Sequence, residues 1–245
     1  MAKVIPSTWE LPSVIVSRFG TSAGKQRAMF HEGHLVLVTH LPPDHDEADR
    51  RPAIFWRSPS GAWKGTGDGK GGLPGLKSVI ETYRERVLKL DNDFENAKSA
   101  SEYFHILQAI APVLRAARHL HKTLQEAREK VPADSDIIAL RDAAGDVERN
   151  AELVQSDAKA GLDFTVAKRA EEQAASAEHI AKSSHRLNLI AALFLPISAI
   201  GSVFGVNMVS GLENVGKPWL FWSFIAGAFV IGFIVRASID RKDAA

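Results

Sequence analysis

Between Leu187 and Leu212 the chain carries no charged residue, and this run restricts its architecture more than any other feature. Leu187, Leu189, Ile190, Leu193, Phe194, Ile197, Ile200, Val203 and Phe204 make it strongly apolar. As a helix it is long enough to cross a bilayer, which takes roughly 20 residues for a ~30 Å hydrocarbon core. A second uncharged run, Trp219 to Val235, is shorter and spans only with its flanks or a snorkelling Arg236. Two such crossings predict a membrane hairpin with both chain ends on one side. Everything upstream is then a large domain on that side.

Composition supports this division. The chain has 245 residues, 45% of them hydrophobic, with a mean hydropathy of -0.08. That average hides an apolar C-terminal end behind a charged, Ala-rich remainder. A net charge of +1 gives no argument for nucleic acid. The absence of cysteine excludes disulfides, thiolate metal sites and a Cys nucleophile, and fits a reducing compartment. Lys3, Glu10, Arg18, Lys25 and Arg27 interrupt residues 1–30, so no secretory signal is expected. Lys168, Arg169, Lys182 and Arg186 precede the first run, Arg236, Arg241 and Lys242 follow the second, and the loop between holds only Lys217 as a base. This bias places both termini in the cytoplasm, as in a multi-pass protein of the inner (plasma) membrane.

Upstream, residues 1–60 read as a small strand-rich region. Val14-Ile15-Val16, His34 to Thr39 and Ile54-Phe55-Trp56 are its candidate strands. Pro42-Pro43 ends the second of these. So few strands need the following helices to complete a core. Ser58 to Gly75 is glycine-rich, and its run Gly65 to Gly72 invites a phosphate-loop reading. The spacing fails, because Lys64 stands where the first glycine belongs and Gly71 follows Lys70 where Ser or Thr is required. A flexible linker or hairpin tip remains.

From Leu76 the period becomes helical. Leu76, Val79, Ile80, Tyr83, Val87, Leu90 and Phe94 form one apolar stripe, and Tyr103, Phe104, Leu107, Ile110, Leu114, Ala117, Leu120 and Leu124 another. Ala97 to Ser101 either breaks the two into antiparallel helices or lies within one helix. Pro112 should interrupt or kink the second stripe, and Val131-Pro132 closes it. Asp134 or Ser135 then caps a new helix. Its positions Ile137, Leu140, Ala144, Val147, Ala151, Val154, Ala158 and Gly161 follow the 3,4 repeat of a helix seam. The face beyond is small and polar, through Thr165, Lys168, Glu172, Ala175, His179 and Lys182. No proline intervenes between Pro132 and Pro196. A helix from residue 134 to residue 205 would be about 72 residues, on the order of 108 Å. It either couples a cytoplasmic domain to the membrane or serves as a plain stalk.

Within the first uncharged run, Ser184, Asn188, Ala191, Leu195, Ser198 and Ser202 form a mostly small or polar stripe. Asn188 is costly against hydrocarbon, so this edge should meet protein or water. Close helix packing explains small residues as well as a pore does. A pore needs a ring of subunits, in which Asn188, Ser198 and Ser202 would offer oxygens to a hydrated cation and Leu195 would form an apolar constriction. Neutral oxygens suit a divalent ion that keeps its water, as magnesium does. Glu213 in the loop would concentrate cations at the mouth, or is a plain surface group.

Phe204-Gly205-Val206-Asn207, with Leu193-Phe194-Leu195-Pro196-Ile197 before it and a second span after it, resembles the CorA-type magnesium transporter superfamily and its Tyr-Gly-Met-Asn hallmark. The resemblance in motifs covers roughly residues 185–236 and extends to the stalk in architecture only. It implies an α+β cytoplasmic domain with a long stalk helix and two C-terminal transmembrane helices, a CorA-like funnel built as a homopentamer among membrane lipids. In that arrangement the first span lines the pore, Asn207 holds a selectivity ring, and Gly205 permits the tight chain path beside it. Leu195 and Leu187 resemble the hydrophobic constrictions, and Ser198 the internal hydroxyl ring. Asp91, Asp93, Asp134 and Asp136 are candidates for a regulatory divalent-ion site, although acidic residues at helix starts also serve as caps. Val206 replaces the usual Met, Met208 stands where an aromatic is common, and Ser210 to Asn214 replaces the Met-Pro-Glu loop. These departures leave magnesium (Mg2+) the favoured cargo beside cobalt, nickel and zinc.

The expected organisation is therefore a strand-rich region at 1–73, a helical and stalk region at 74–186, a two-helix transmembrane domain at 187–236 and a cytoplasmic tail at 237–245. His31, His34, His40 and His45, with Asp44 and Asp46, suggest a metal-binding head, but His31-Glu32-Gly33-His34 lacks metalloprotease spacing and scattered surface histidines explain them. No nucleophile with a partnered base is legible, so an enzyme is not expected, and no organic cofactor is indicated. The rival to cation transport is a non-conducting, membrane-anchored oligomeric scaffold or sensor.

Overall fold

The structure is a computed structural model that describes residues 5–43, 51–67, 71–205 and 218–242. It divides into two compact units, Met1–Ala167 and Lys168–Ala245.

The first unit is α+β. Its sheet is a four-stranded antiparallel meander of β1 (Arg27–His31), β2 (His34–His40), β3 (Pro52–Arg57) and β4 (Trp63–Gly67), in the order β1-β2-β3-β4. The runs expected at His34 to Thr39 and Ile54 to Trp56 are its two central strands. β1 joins β2 through Glu32 and Gly33, at φ 46° and 80°, the positive values that a two-residue hairpin turn with the right twist requires. On β2 and β3 the alternate residues Leu35, Leu37, Ala53 and Phe55 meet one core while Val36, Val38, Ile54 and Trp56 meet another. The sheet is thus covered on both faces, which is why β2 reads as a continuous apolar run.

The second face is covered by Trp9, Ile15, Ala23 and the partly buried Ile5, Leu11 and Phe19. Here one expectation is corrected. Val14-Ile15-Val16 is not a strand but part of a single-turn helix, α1 (Ser13–Val16). The Pro12 carbonyl accepts from the Ile15 and Val16 amides at 2.9 and 3.1 Å, and a buried Ile15 between exposed neighbours looks the same at either period. The glycine-rich stretch, expected as a flexible linker or hairpin tip, is a hairpin tip at its start and a strand after it. Ser58 to Ala62 is a hairpin turn, closed by the Ser58 amide donating to the Ala62 carbonyl at 2.9 Å, and β4 follows directly. Gly72, at φ 64°, passes so near β4 that a Cβ would lie 2.6 Å from the Trp63 carbonyl oxygen. Glycine at this point serves chain packing.

The first face is covered by helices α2 (Leu73–Asn96) and α3 (Ala100–Lys130). On α2 the buried residues are Leu76, Val79, Ile80, Tyr83, Val87 and Leu90, the expected stripe. The chain does break at Ala97 to Ser99. Ser99 caps α3 in a reciprocal box, its hydroxyl accepting from the Glu102 amide while the Glu102 carboxylate accepts from the Ser99 amide at 2.9 Å and the Lys98 amide at 2.7 Å. Pro112 does not interrupt α3, which continues with Ile110, Val113 and Leu114 buried on either side.

Helix α4 (Ser135–Gly205) is 71 residues long and passes through Pro196, matching the long helix expected from residue 134 to 205. Ile137, Leu140, Ala144, Val147, Ala151, Val154 and Ala158 are all buried, as their seam spacing predicts. They pack antiparallel to α3, where Gly161 meets Tyr103, Glu152 meets Arg118, and Glu148 meets His121. From residue 163 to 184 nearly every side chain is exposed.

In the second unit the later part of α4 meets α5 (Pro218–Lys242). Ala192 and Ala228 are buried, and a Cβ on Gly232 would lie 3.4 Å from the Leu193 backbone. Small residues thus bring the two helices together, as the spacing of an apolar hairpin requires. Among the described residues no helix is long and apolar enough to cross a membrane. The uncharged run that begins at Leu187 continues through residues 206–212, which lie outside that set.

Candidate functional site

The predicted oxygen-bearing stripe lies on the last turns of α4. Ser184, Asn188, Ala191, Leu195, Ser198 and Ser202 are all exposed within the chain, whereas the contact with α5 uses Ala192 and Leu193. The stripe therefore points away from its own hairpin partner. The Ser202 hydroxyl donates to the Ser198 carbonyl one turn back, at 2.8 Å. That bond uses the hydroxyl proton and leaves the oxygen lone pairs outward, so Ser202 is presented as an acceptor. Leu187 and Leu195, the predicted constrictions, are each 66% exposed. Ile190, Phe194, Trp222, Val230, Phe233 and Ile234 are also more than half exposed. Gly205 is the last residue of α4, and Asn207 and Glu213 lie outside the described residues.

The four candidate regulatory carboxylates do not come together. Asp134 is the cap of α4. Its Oδ1 accepts from the Asp136 and Ile137 amides at 3.0 and 3.1 Å, and its Oδ2 accepts from Arg57 Nε at 2.7 Å. Both oxygens are thus engaged in joining β3 to the start of α4. Asp136 pairs with Lys77 at 3.5 Å. Asp91 and Asp93 sit near the end of α2, on its half-buried and exposed sides. The Arg57–Asp134 pair was missed by the sequence reading, since 77 residues separate its partners and only the fold joins them.

The histidines are likewise dispersed. His31 faces Glu32 at 3.6 Å, His34 accepts from Trp56 Nε1 at 3.1 Å while stacked on that ring, and His40 is buried at the far end of β2. Among the described residues no group of three or more His, Cys, Asp or Glu could hold a metal ion. His45, Asp44 and Asp46 lie outside that set. One polar network links α3 to α4. Arg118 reaches Glu152 at 2.6 Å and Glu148 at 3.5 Å, and His121 Nδ1 lies 2.7 Å from Glu148. Glu152 raises the Arg118 guanidinium above its ordinary value by hydrogen bonding. Burial raises the Tyr83 phenol far above its usual range, and its hydroxyl donates to the His40 carbonyl at 3.1 Å.

No protein-family model matches the sequence, and none of the curated proteins matches it. Among solved structures, the chain is similar to the cytoplasmic domain of ZntB from Vibrio parahaemolyticus, with a TM-score of 0.50 and 12% identity over 66% of this chain and 80% of that one. It also aligns with the full-length CmaX protein, at a TM-score of 0.44 and 12% identity over 93% and 80% of the two chains. With the CorA magnesium transporter from Methanocaldococcus jannaschii the TM-score is 0.34, again at 12% identity, over 86% and 77%. Of these three, the ZntB domain is the one with a TM-score of 0.50, and that likeness shows a shared fold.

Proposed function

We propose that this chain is a divalent-cation transport protein of the CorA type, in which copies of the α4 C-terminal segment surround a water-filled path. The observation that carries this reading is the division of surface in the second unit. Ala192, Leu193, Ala228 and Gly232 close the α4–α5 contact, and the edge bearing Asn188, Ser198 and Ser202 is left over for something else. An amide and two hydroxyls on an otherwise uncharged segment are wasted against lipid and well suited to a hydrated cation. The Phe204-Gly205-Val206-Asn207 tetrapeptide at the end of that edge and the fold shared with a ZntB cytoplasmic domain support the same reading.

In this mechanism Asn207 offers its carboxamide oxygen to the ion's water shell at the outer mouth, and Gly205 allows the chain to turn there. Ser198 and Ser202 continue the path as acceptors. Leu195 and Leu187 form rings narrow and apolar enough to empty of water when the path closes. Glu213 raises the local cation concentration. A homopentamer, both termini cytoplasmic and magnesium as cargo belong to the proposal, with cobalt, nickel and zinc as competing ions.

The test is flux in liposomes holding the full chain, with magnesium, cobalt, nickel and zinc presented separately. The expected result is uptake of at least one of them, lowered about tenfold or more by Asn207→Ala, which corresponds to about 1.4 kcal/mol of lost ion stabilisation. A second reading, a non-conducting membrane-anchored scaffold, rests on the same exposed edge, since small residues and serines suit a contact between helices as well as a pore. Liposomes that contain assembled oligomers yet stay impermeable to all four ions would establish the scaffold.

A further inference from the structure

Helix α5 carries two unlike faces. Ala228 and Gly232, one turn apart, are buried, and a Cβ on Gly232 would lie 3.4 Å from the Leu193 backbone of α4. Trp219 precedes Ala228 by about two and a half turns and so falls on the opposite side. Trp222, Ala226, Val230 and Phe233 continue that side at helical spacing, and all five residues are exposed within the chain. No charged residue falls between Lys217 and Arg236. The only hydroxyl of that interval, on Ser223, donates to the Trp219 carbonyl one turn back at 2.9 Å, so its proton is satisfied within the helix.

What covers this side follows from the size and order of its residues. Helices that meet where water does not drive them together use small side chains. Ala228 and Gly232 are such residues, and α4 has already taken them. The side opposite projects indole, phenyl and valine groups, which fluid acyl chains accommodate and a closely packed second helix does not. Residue types are ordered along it as well. Trp219 and Trp222 stand at the loop end, Val230 and Phe233 follow, and Arg236 closes the run in sequence. Indole rings favour the headgroup level, whereas aliphatic and phenyl groups favour the acyl chains. At 1.5 Å per residue, Trp219 to Arg236 is about 26 Å of helix, against a ~30 Å hydrocarbon core.

We propose that this side of α5 lies against phospholipid, with Trp219 at the headgroup level on the loop side and Phe233 among the acyl chains. Trp219 then fixes the depth of α5. The contact needs the membrane setting of the transport reading but not conduction.

The chain has no cysteine, so one introduced cysteine carries a nitroxide at a single known position. Accessibility is measured on the full chain in liposomes of phosphatidylcholine and phosphatidylglycerol, with oxygen as the lipid-soluble relaxer and a nickel chelate as the water-soluble one. Phe233→Cys should favour oxygen over the chelate several-fold, Trp219→Cys should show a ratio nearer one, and Ala228→Cys should be closed to both. Ser202→Cys reads the transport proposal separately. Chelate access there supports a water-filled path, and its absence with Phe233→Cys still open to oxygen would remove the path and uphold the lipid contact. Dipolar broadening at Phe233→Cys with loss of oxygen access would identify a second copy on this side and overturn the proposal. So would chelate access at Phe233→Cys, or a Trp219→Cys ratio as high as that of Phe233→Cys. Should Trp219→Cys fail to insert, tryptophan emission of the unaltered chain decides. Lipids brominated near the headgroup should quench it more than lipids brominated near the chain end, and Trp219→Phe should shrink that difference; the reverse order would overturn the proposal.

Discussion

Gly161 and Gly145 occupy the same helix seam and face opposite outcomes on substitution. A Cβ at Gly161 would lie 2.8 to 3.1 Å from the Tyr103 ring, and that ring is pinned by its hydroxyl donating to the Ala97 carbonyl at 2.9 Å and by Phe94 beside it. The ring has no easy direction in which to yield. Gly161→Ala should therefore destabilise by about 1–3 kcal/mol of overpacking, outweighing the roughly 1 kcal/mol that alanine gains in a helix. At Gly145 the nearest atom is His121 Nε2 at 3.4 Å, an ordinary contact. Gly145→Ala should stabilise by about 0.5–1 kcal/mol. Thermal unfolding of the two variants checks the pair, and similar shifts of one sign would refute the argument. From sequence both are merely small residues, because what separates them is a ring 58 positions upstream of Gly161 at overlapping distance in one case and an imidazole at ordinary contact distance in the other.

At the scale of the element, α3 begins with a pattern that is legible without any structure. Ser99 followed by Glu102 is a capping box, and it settles the break that apolar spacing alone left open between one helix and two. The Lys98 and Ser99 amides donating to the Glu102 carboxylate hold it below the usual carboxylate range. With a folded value below the unfolded one, near 4.3, its stabilisation is complete above about pH 4.3 and disappears as pH falls through the depressed value. Glu102→Gln should thus melt earlier than the unaltered chain at pH 7 and show a flatter midpoint between pH 5 and pH 3. A parallel pH profile for the two would exclude the carboxylate as the cause. Helix α4 starts through Asp134, whose side chain also meets Arg57. Asp134→Ala removes the cap and leaves a mostly buried guanidinium without its partner, a loss of about 3 kcal/mol. Asp134→Asn, which keeps the cap, should lose less, and urea midpoints of the two variants distinguish cap from charge.

Over the whole molecule, elements with a clear period were readable and the partners between elements were not. The α2 stripe, the α4 seam and the central strands followed from spacing, because burial on one face or two imposes a repeat on the chain itself. α1 and β4 were misread, since a single turn and a short edge strand contain too few residues for any repeat to declare itself. The pairing of Arg57 with Asp134 and the bond from Gln26 to the Ala116 carbonyl join residues 77 and 90 positions apart. The uncharged runs and their polar edge were set by sequence alone, because side-chain type and helical spacing need no partner. That this edge turns away from α5, and that Arg57 meets Asp134, was decided only by tertiary structure, because packing determines which surfaces are used up and which remain.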